Sequence, residues 1–218
     1  GSIDERGLLN ALIGGFGFKT PNCINELLAN SSDARAKKSI LNQDYIADNG
    51  NGMDRNDMDN LLDLFRQNHQ NDYSKGRSGI GAKPPMINIS NKQSTKIITK
   101  KKDSEYLTAY INWDKILKDG RWTGMTTIES SSNDDIELFN EILPNEVSGT
   151  VIYFPQGTSQ EYKDCLDLII KWDFVSNRDL LGVNNHPGNV FGNEFMEIII
   201  NEINLKKIKL SDIDNPEP

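Results

Sequence analysis

The stretch Asn25-Glu26-Leu27-Leu28-Ala29-Asn30-Ser31-Ser32-Asp33-Ala34 constrains the fold most, because a helical reading sorts it into two faces. At about 100° per residue, Glu26, Asn30 and Asp33 stand at i, i+4 and i+7, within roughly 40° of one another, while Ile24, Leu27, Leu28 and Ala34 point away. One face carries polar chemistry and the other is core. Thr20 suits the N-cap and Pro21 the first helical position, so the spacing predicts a helix over residues 21–38. Taken alone, such a stripe is the ordinary solvated side of an amphipathic helix. Two later stretches change its meaning: Asp48-Asn49-Gly50-Asn51-Gly52-Met53, and then Gly76-Arg77-Ser78-Gly79-Ile80-Gly81-Ala82-Lys83.

The chain has 218 residues, 36% of them apolar and 26% charged, enough for one good core, and one main domain is expected. A formal charge of −8 argues against strong nucleic-acid binding by bulk electrostatics, although a local patch such as Lys100-Lys101-Lys102 survives that argument. Two cysteines, Cys23 and Cys165, form no framework; a buried free thiol is expected at Cys23, and with it a reducing, intracellular setting. Two lone histidines exclude an ordinary zinc site, and no apolar run reaches the length of about 18 residues that a membrane span needs. Gly1-Ser2 reads as a tag scar. The expected organisation is an N-terminal segment over residues 1–19, an α+β domain over 20–207 and a tail or linker over 208–218.

Within that domain, residues 3–13 read as a short helix and 54–66 as a second amphipathic one capped by Asp54 or Asn56. Residues 67–75 read as a surface loop. From Ser94 the period shifts toward two, and strands are predicted at 95–99, 106–113, 123–128 and 149–154. Residues 159–176 and 193–207 read as helices, the latter against the β-prone Ile198-Ile199-Ile200. Gly17-Phe18-Lys19-Thr20 is not a Walker A loop, since Phe18 stands where that loop requires glycine.

Each box supplies one part of a nucleotide site. An ionised Asp48 accepts but cannot donate, so it suits the exocyclic amine of adenine; Gly50 and Gly52 let a ring approach the backbone, and Met53 offers a polarisable wall. The same six residues would also make a plain Asx turn. Gly76, Gly79 and Gly81 free backbone N–H groups for phosphates at a helix start, and Lys83 is either a phosphate contact or a solvated helix residue. Asn30 supplies a neutral oxygen suited to Mg²⁺, and Glu26, one turn earlier, is placed to orient or deprotonate an attacking water. Asp33 either holds the polar network or is a surface carboxylate.

These three boxes resemble the N, G1 and G2 boxes of the GHKL ATPases, the group of gyrase, heat-shock chaperone, histidine kinase and MutL. Ser148-Gly149-Thr150-Val151-Ile152 resembles the fourth element, whose threonine assists adenine binding. The resemblance spans residues 20–155. It implies a Bergerat fold, a two-layer α/β sandwich whose mixed, mostly antiparallel sheet is covered on one side by helices that hold ATP under a lid. It also implies roles: Glu26 as general base, Asn30 as Mg²⁺ ligand, Asp48 as adenine reader, and Arg77, Ser78 and Ile80 as part of the phosphate loop with the glycines. The first box is closest to the chaperones, the second to the microrchidia ATPases and the third to type IIA topoisomerases; histidine kinases fit worst. The short spacing between Asn30 and Asp48 departs from the pattern, as though an intervening strand or hairpin were shortened or missing. Nothing after residue 155 looks like the transducer domain that completes the γ-phosphate site in relatives.

The expected function is therefore Mg²⁺-dependent ATP binding and slow hydrolysis by an ATP-gated homodimerising switch, lacking its C-terminal domains here, in a DNA-handling protein of topoisomerase, MutL or microrchidia type. A chaperone-type clamp on a protein client, or a scaffold without turnover, are the alternatives. No membrane partner is expected.

Overall fold

A computed structural model of the chain describes residues 4–10, 19–63, 82–171 and 196–204. Among the described residues, eight strands form one sheet in the order β5-β4-β3-β6-β2-β1-β7-β8. They are β1 (Lys38–Leu41), β2 (Tyr45–Asp48), β3 (Ser94–Lys100), β4 (Tyr106–Asn112), β5 (Ile128–Ser130), β6 (Gly149–Tyr153), β7 (Glu197–Ile200) and β8 (Ile203–Asn204). Among these described strands only β1 and β7 pair in parallel, so the sheet is mixed and mostly antiparallel, as the α+β expectation required.

Strand alternation divides the core into two faces. On β3, Ile97 packs one way and Ile98 the other; on β1 and β2, Leu41 and Ile46 share a face opposite Ile40 and Ala47. The first face is covered by α2 (Thr20–Asp33), α3 (Arg55–Leu62), α4 (Lys83–Ile89) and α7 (Gln160–Lys171), with α1 (Glu5–Asn10) and α5 (Trp113–Asp119) at one end. Ile24, Leu27 and Leu28 of α2 meet Tyr162 and Leu166 of α7 and Ile198 and Ile200 of β7 in one cluster. Trp113 and Trp122 stack at 5.6 Å in a second, where Leu9 is also buried. The Glu5 carboxylate accepts the backbone N–H of Trp122 (2.7 Å) and of Thr123, which ties α1 to the end of α5.

The reverse face carries α6 (Asn133–Ile142), a helix absent from the sequence-based expectation. Ser132 caps it by accepting the Asp135 N–H, and Phe139, Ile142 and Leu143 cover Ile98 and Val151. Buried Asp135 is paired twice, with Lys96 Nζ at 2.7 Å and with the Thr108 hydroxyl at 3.1 Å, so neither partner of the ion pair lies unsatisfied.

Several boundaries differ from expectation for physical reasons. Helix α2 begins one residue early, with Lys19 at the N-cap; Thr20 is buried and its hydroxyl donates to Asn88 of α4 at 3.1 Å, so it does not cap. The helix stops at Asp33, not Lys38, where Arg35 turns to φ 60°. After a turn, Lys38–Leu41 forms β1, which pairs antiparallel with β2 in the register Ser39↔Asp48, so the hairpin between Asn30 and Asp48 is not missing. Of the strand expected over 123–128 only Ile128 pairs, at the start of β5. The helix expected over 193–207 is the β7–β8 hairpin within the described residues. Asn201 and Glu202 both take positive φ, which matches a two-residue I′ turn, and the β-branched run pairs with β1.

Candidate nucleotide site

A cavity of about 390 Å³ opens between the sheet and the helices of the first face. Its floor comes from Ile97 of β3, Thr150 and Ile152 of β6 and Asp48 at the end of β2. Glu26, Asn30 and Ser31 line it from α2, Gly52 and Met53 from the turn after β2, Asp57, Asn60 and Leu61 from α3, and Met86 from α4. Thus Glu26, Asn30, Asp48, Gly52, Met53 and Thr150, chosen from the sequence, converge on one cavity.

Asp48 is held at its pole. One carboxylate oxygen accepts the Gly50 N–H at 2.9 Å; the other lies 3.3 Å from the Ser31 hydroxyl, whose one proton is shared between it and the Leu27 carbonyl oxygen at 3.1 Å. Burial pushes the carboxyl up to about 6, with the Gly50 and Ser31 hydrogen bonds holding it back. The Asx turn and the cavity-facing carboxylate are one arrangement, since the Gly50 bond closes the turn while Asp48 lines the cavity. Around it the backbone is pinned from three sides. Asn49 Oδ1 accepts the N–H groups of Lys37 and Lys38, the Ser148 hydroxyl donates to Gly50 O, and the Met53 N–H donates to Thr99 Oγ1.

Gly50 does not line the cavity; a Cβ there would meet Ala34 at 2.7 Å. Gly52 is the more demanding position. Its φ is +65°, and a Cβ would lie 1.9 Å from the carbonyl oxygen of Lys100. Gly52→Ala is therefore expected to lower stability by more than about 3 kcal/mol, read as a fall in the urea midpoint. An unchanged midpoint would mean that the β2–α3 turn is not held as described.

Glu26 is half-buried on the wall, and burial, then the charge of Asp33, raise its carboxyl above the ordinary glutamate range. Asp33 itself is exposed and lies outside the cavity lining, so its effect on the site is electrostatic rather than by contact. Lys83 also lies outside the lining. It is buried, its Nζ donates to the Asp63 carbonyl at 3.0 Å at the end of α3, and burial pulls the ammonium down to about 8. That burial overturns one of the two roles expected for Lys83, the solvated helix residue. Gly76, Arg77, Ser78, Gly79, Ile80 and Gly81 lie outside the described residues.

Sequence reasoning missed Ser31, Asp57, Asn60 and Thr99. Ser31 falls on the apolar side of α2 and reads as a small core residue; only the register Ser39↔Asp48 shows that a carboxylate lies opposite. Asp57 and Asn60 repeat at i, i+3 with Leu61 beside them, a signal open to the same test as the α2 stripe.

The chain matches the family model described as histidine kinase-, DNA gyrase B- and HSP90-like ATPase over residues 19–150, more than half its length. The chain belongs to this ATPase family. The matched segment holds every cavity-lining residue except Ile152, so the family signal and the cavity coincide. Membership in a family of ATPases supports ATP binding by this chain. No curated protein matches it. Among the described residues, no helix is long and apolar enough to cross a membrane.

Proposed function

We propose that the chain binds ATP in this cavity, hydrolyses it slowly through Glu26, and uses the bound nucleotide to switch a homodimer on and off. The observation that carries the reading is the distribution of chemistry along one cavity. An acceptor pole at Asp48 and Thr150 suits an amino-purine, and a carboxylate with an amide, Glu26 and Asn30, stands on the wall. Ionised Asp48 accepts an amine proton, Met53 packs on a ring, and Glu26 takes a proton from the attacking water; burial raises Glu26 toward the pH range where a general base works best.

The donor set fits Mg²⁺. Asn30 lines the cavity with a neutral amide oxygen, a hard donor that suits a cation held together with phosphate oxygens and water. Bound there, the ion would neutralise phosphate charge.

A DNA-handling protein is the proposed context, with a chaperone clamp or a scaffold without turnover as alternatives. The local lysine patch adds little to the DNA reading. Lys101 is bridged to Asp54 (2.7 Å) and Asp57 (2.9 Å), and Lys100 Nζ lies 4.6 Å from the centre of the Tyr106 ring. Phosphate release from ATP is expected to require Mg²⁺ and to stop on adding EDTA. Stimulation by DNA supports the DNA-handling context, stimulation by unfolded protein the chaperone clamp, and no release at saturating ATP contradicts the hydrolytic part of the proposal.

A further inference from the structure

Thr99 is fully buried on β3, behind the acceptor pole and outside the cavity lining. Its hydroxyl has one proton and two lone pairs, and all three are accounted for. The proton goes to the carbonyl oxygen of Gly149 (3.0 Å), which cannot donate in return. One lone pair receives the Met53 N–H (2.9 Å). What remains toward the Thr150 hydroxyl, 3.1 Å away, is a lone pair. That contact is then a hydrogen bond only if Thr150 donates.

We infer that Thr99 is a specificity-determining positioning residue that fixes the polarity of Thr150, so that the cavity pole presents acceptors alone and favours a 6-amino-purine over a 6-oxo-purine. With its proton committed to Thr99, Thr150 offers only lone pairs to the cavity. Asp48 is its cross-strand partner in the β2–β6 ladder, and when ionised it also only accepts. A 6-amino group brings protons to this pole. A 6-oxo group brings lone pairs against lone pairs, which leaves buried polar groups unpaired. The same hydroxyl holds the backbone of Met53, so one side chain sets both the proton orientation at the pole and the position of the adjoining wall.

The inference rests on the proposal that the cavity binds ATP, and the test separates the two. ATP and ITP, which differ at the 6-position and in the proton that the 6-oxo base carries on N1, are titrated into the wild type, Thr99→Val, Thr99→Ser and Thr150→Val, with folding checked by circular dichroism; the N1 difference is common to all four proteins, so the change in ratio between them reports the 6-position. Valine removes the hydroxyl of Thr99, and serine keeps it. The ITP-to-ATP ratio of dissociation constants is expected to fall roughly tenfold in Thr99→Val and to stay near the wild-type value in Thr99→Ser. A merely structural role would weaken both nucleotides equally and leave the ratio unchanged; an unchanged ratio in folded Thr99→Val overturns the inference. If Thr99→Val does not fold, Thr150→Val decides, since loss of the oriented hydroxyl must erode the same ratio, and a preserved ratio there overturns it equally. Failure of wild type to bind either nucleotide would overturn the ATP proposal itself.

Discussion

Asp48→Asn is expected to remove ATP binding and, at the same time, to raise the melting temperature of the unliganded protein. The two effects share one cause. Burial lifts the Asp48 carboxyl from the ordinary 3.8 to about 6, so the folded chain holds this proton more tightly than the unfolded chain does. The corresponding stability is fully present below about pH 4 and is lost as pH rises through about 6; at pH 7 ionised Asp48 costs on the order of 1–3 kcal/mol. Asparagine relieves that cost. Its amide oxygen keeps the Gly50 N–H, and its NH₂ can donate to the Ser31 hydroxyl. The same NH₂ also places a donor beside the amine that an adenine would present, and a fall in affinity of about a hundredfold or more is expected. Thermal melts of both proteins between pH 4 and 8 check the first effect: the mutant gains most above pH 6 and little below pH 4. In the wild type, ATP affinity is expected to weaken as pH drops through about 6, because protonated Asp48 becomes a donor. A mutant that melts lower at pH 7 would contradict the burial argument.

Glu26→Ala is expected to leave nucleotide affinity within about threefold of wild type and to reduce turnover by about 10²–10⁴. The separation follows from position. Glu26 lies on the α2 wall of the cavity, whereas the acceptor pole is built from β2 and β6. Its environment refines the expectation. Because the charge of Asp33 helps raise the Glu26 carboxyl, Asp33→Asn should lower it and move the acid limb of the turnover–pH profile to lower pH. Turnover unchanged in Glu26→Ala would remove Glu26 from the chemistry.

The polar stripe of α2 is legible in the sequence because helical geometry alone places Glu26 and Asn30 on one line. So are β3, β4 and β6, which are rich in β-branched and aromatic residues and bounded by turn residues. Helix α6 carries signals just as open to reading, a serine cap and Ile136, Phe139 and Leu143 at helical spacing, although the expected elements do not include it. The β7–β8 hairpin is harder. Met196, Ile199 and Ile200 fit a helical face as well as a strand, and pairing of Ile198–Ile200 with β1, a contact distant in sequence, decides the outcome. The turn gives half a signal: Asn201 tolerates positive φ, but Glu202 at φ 68° is not a residue that marks a turn. Within the site, the sequence shows which groups carry chemistry but not what stands behind them. Ser31 behind Asp48 and Thr99 behind Thr150 are small buried hydroxyls whose significance lies in partners across the sheet and helix layers. The partner of Lys83 is hidden in the same way. A lysine beside a glycine loop suggests phosphate, yet its ammonium is turned to the Asp63 carbonyl.

The most direct measurement is calorimetric titration of a non-hydrolysable ATP analogue into the wild-type protein at pH 7.5, with and without Mg²⁺. One saturable site per chain, weaker without Mg²⁺ and competed by ADP, is the predicted result. A folded protein that takes up no nucleotide under either condition would contradict the assignment of this cavity to ATP.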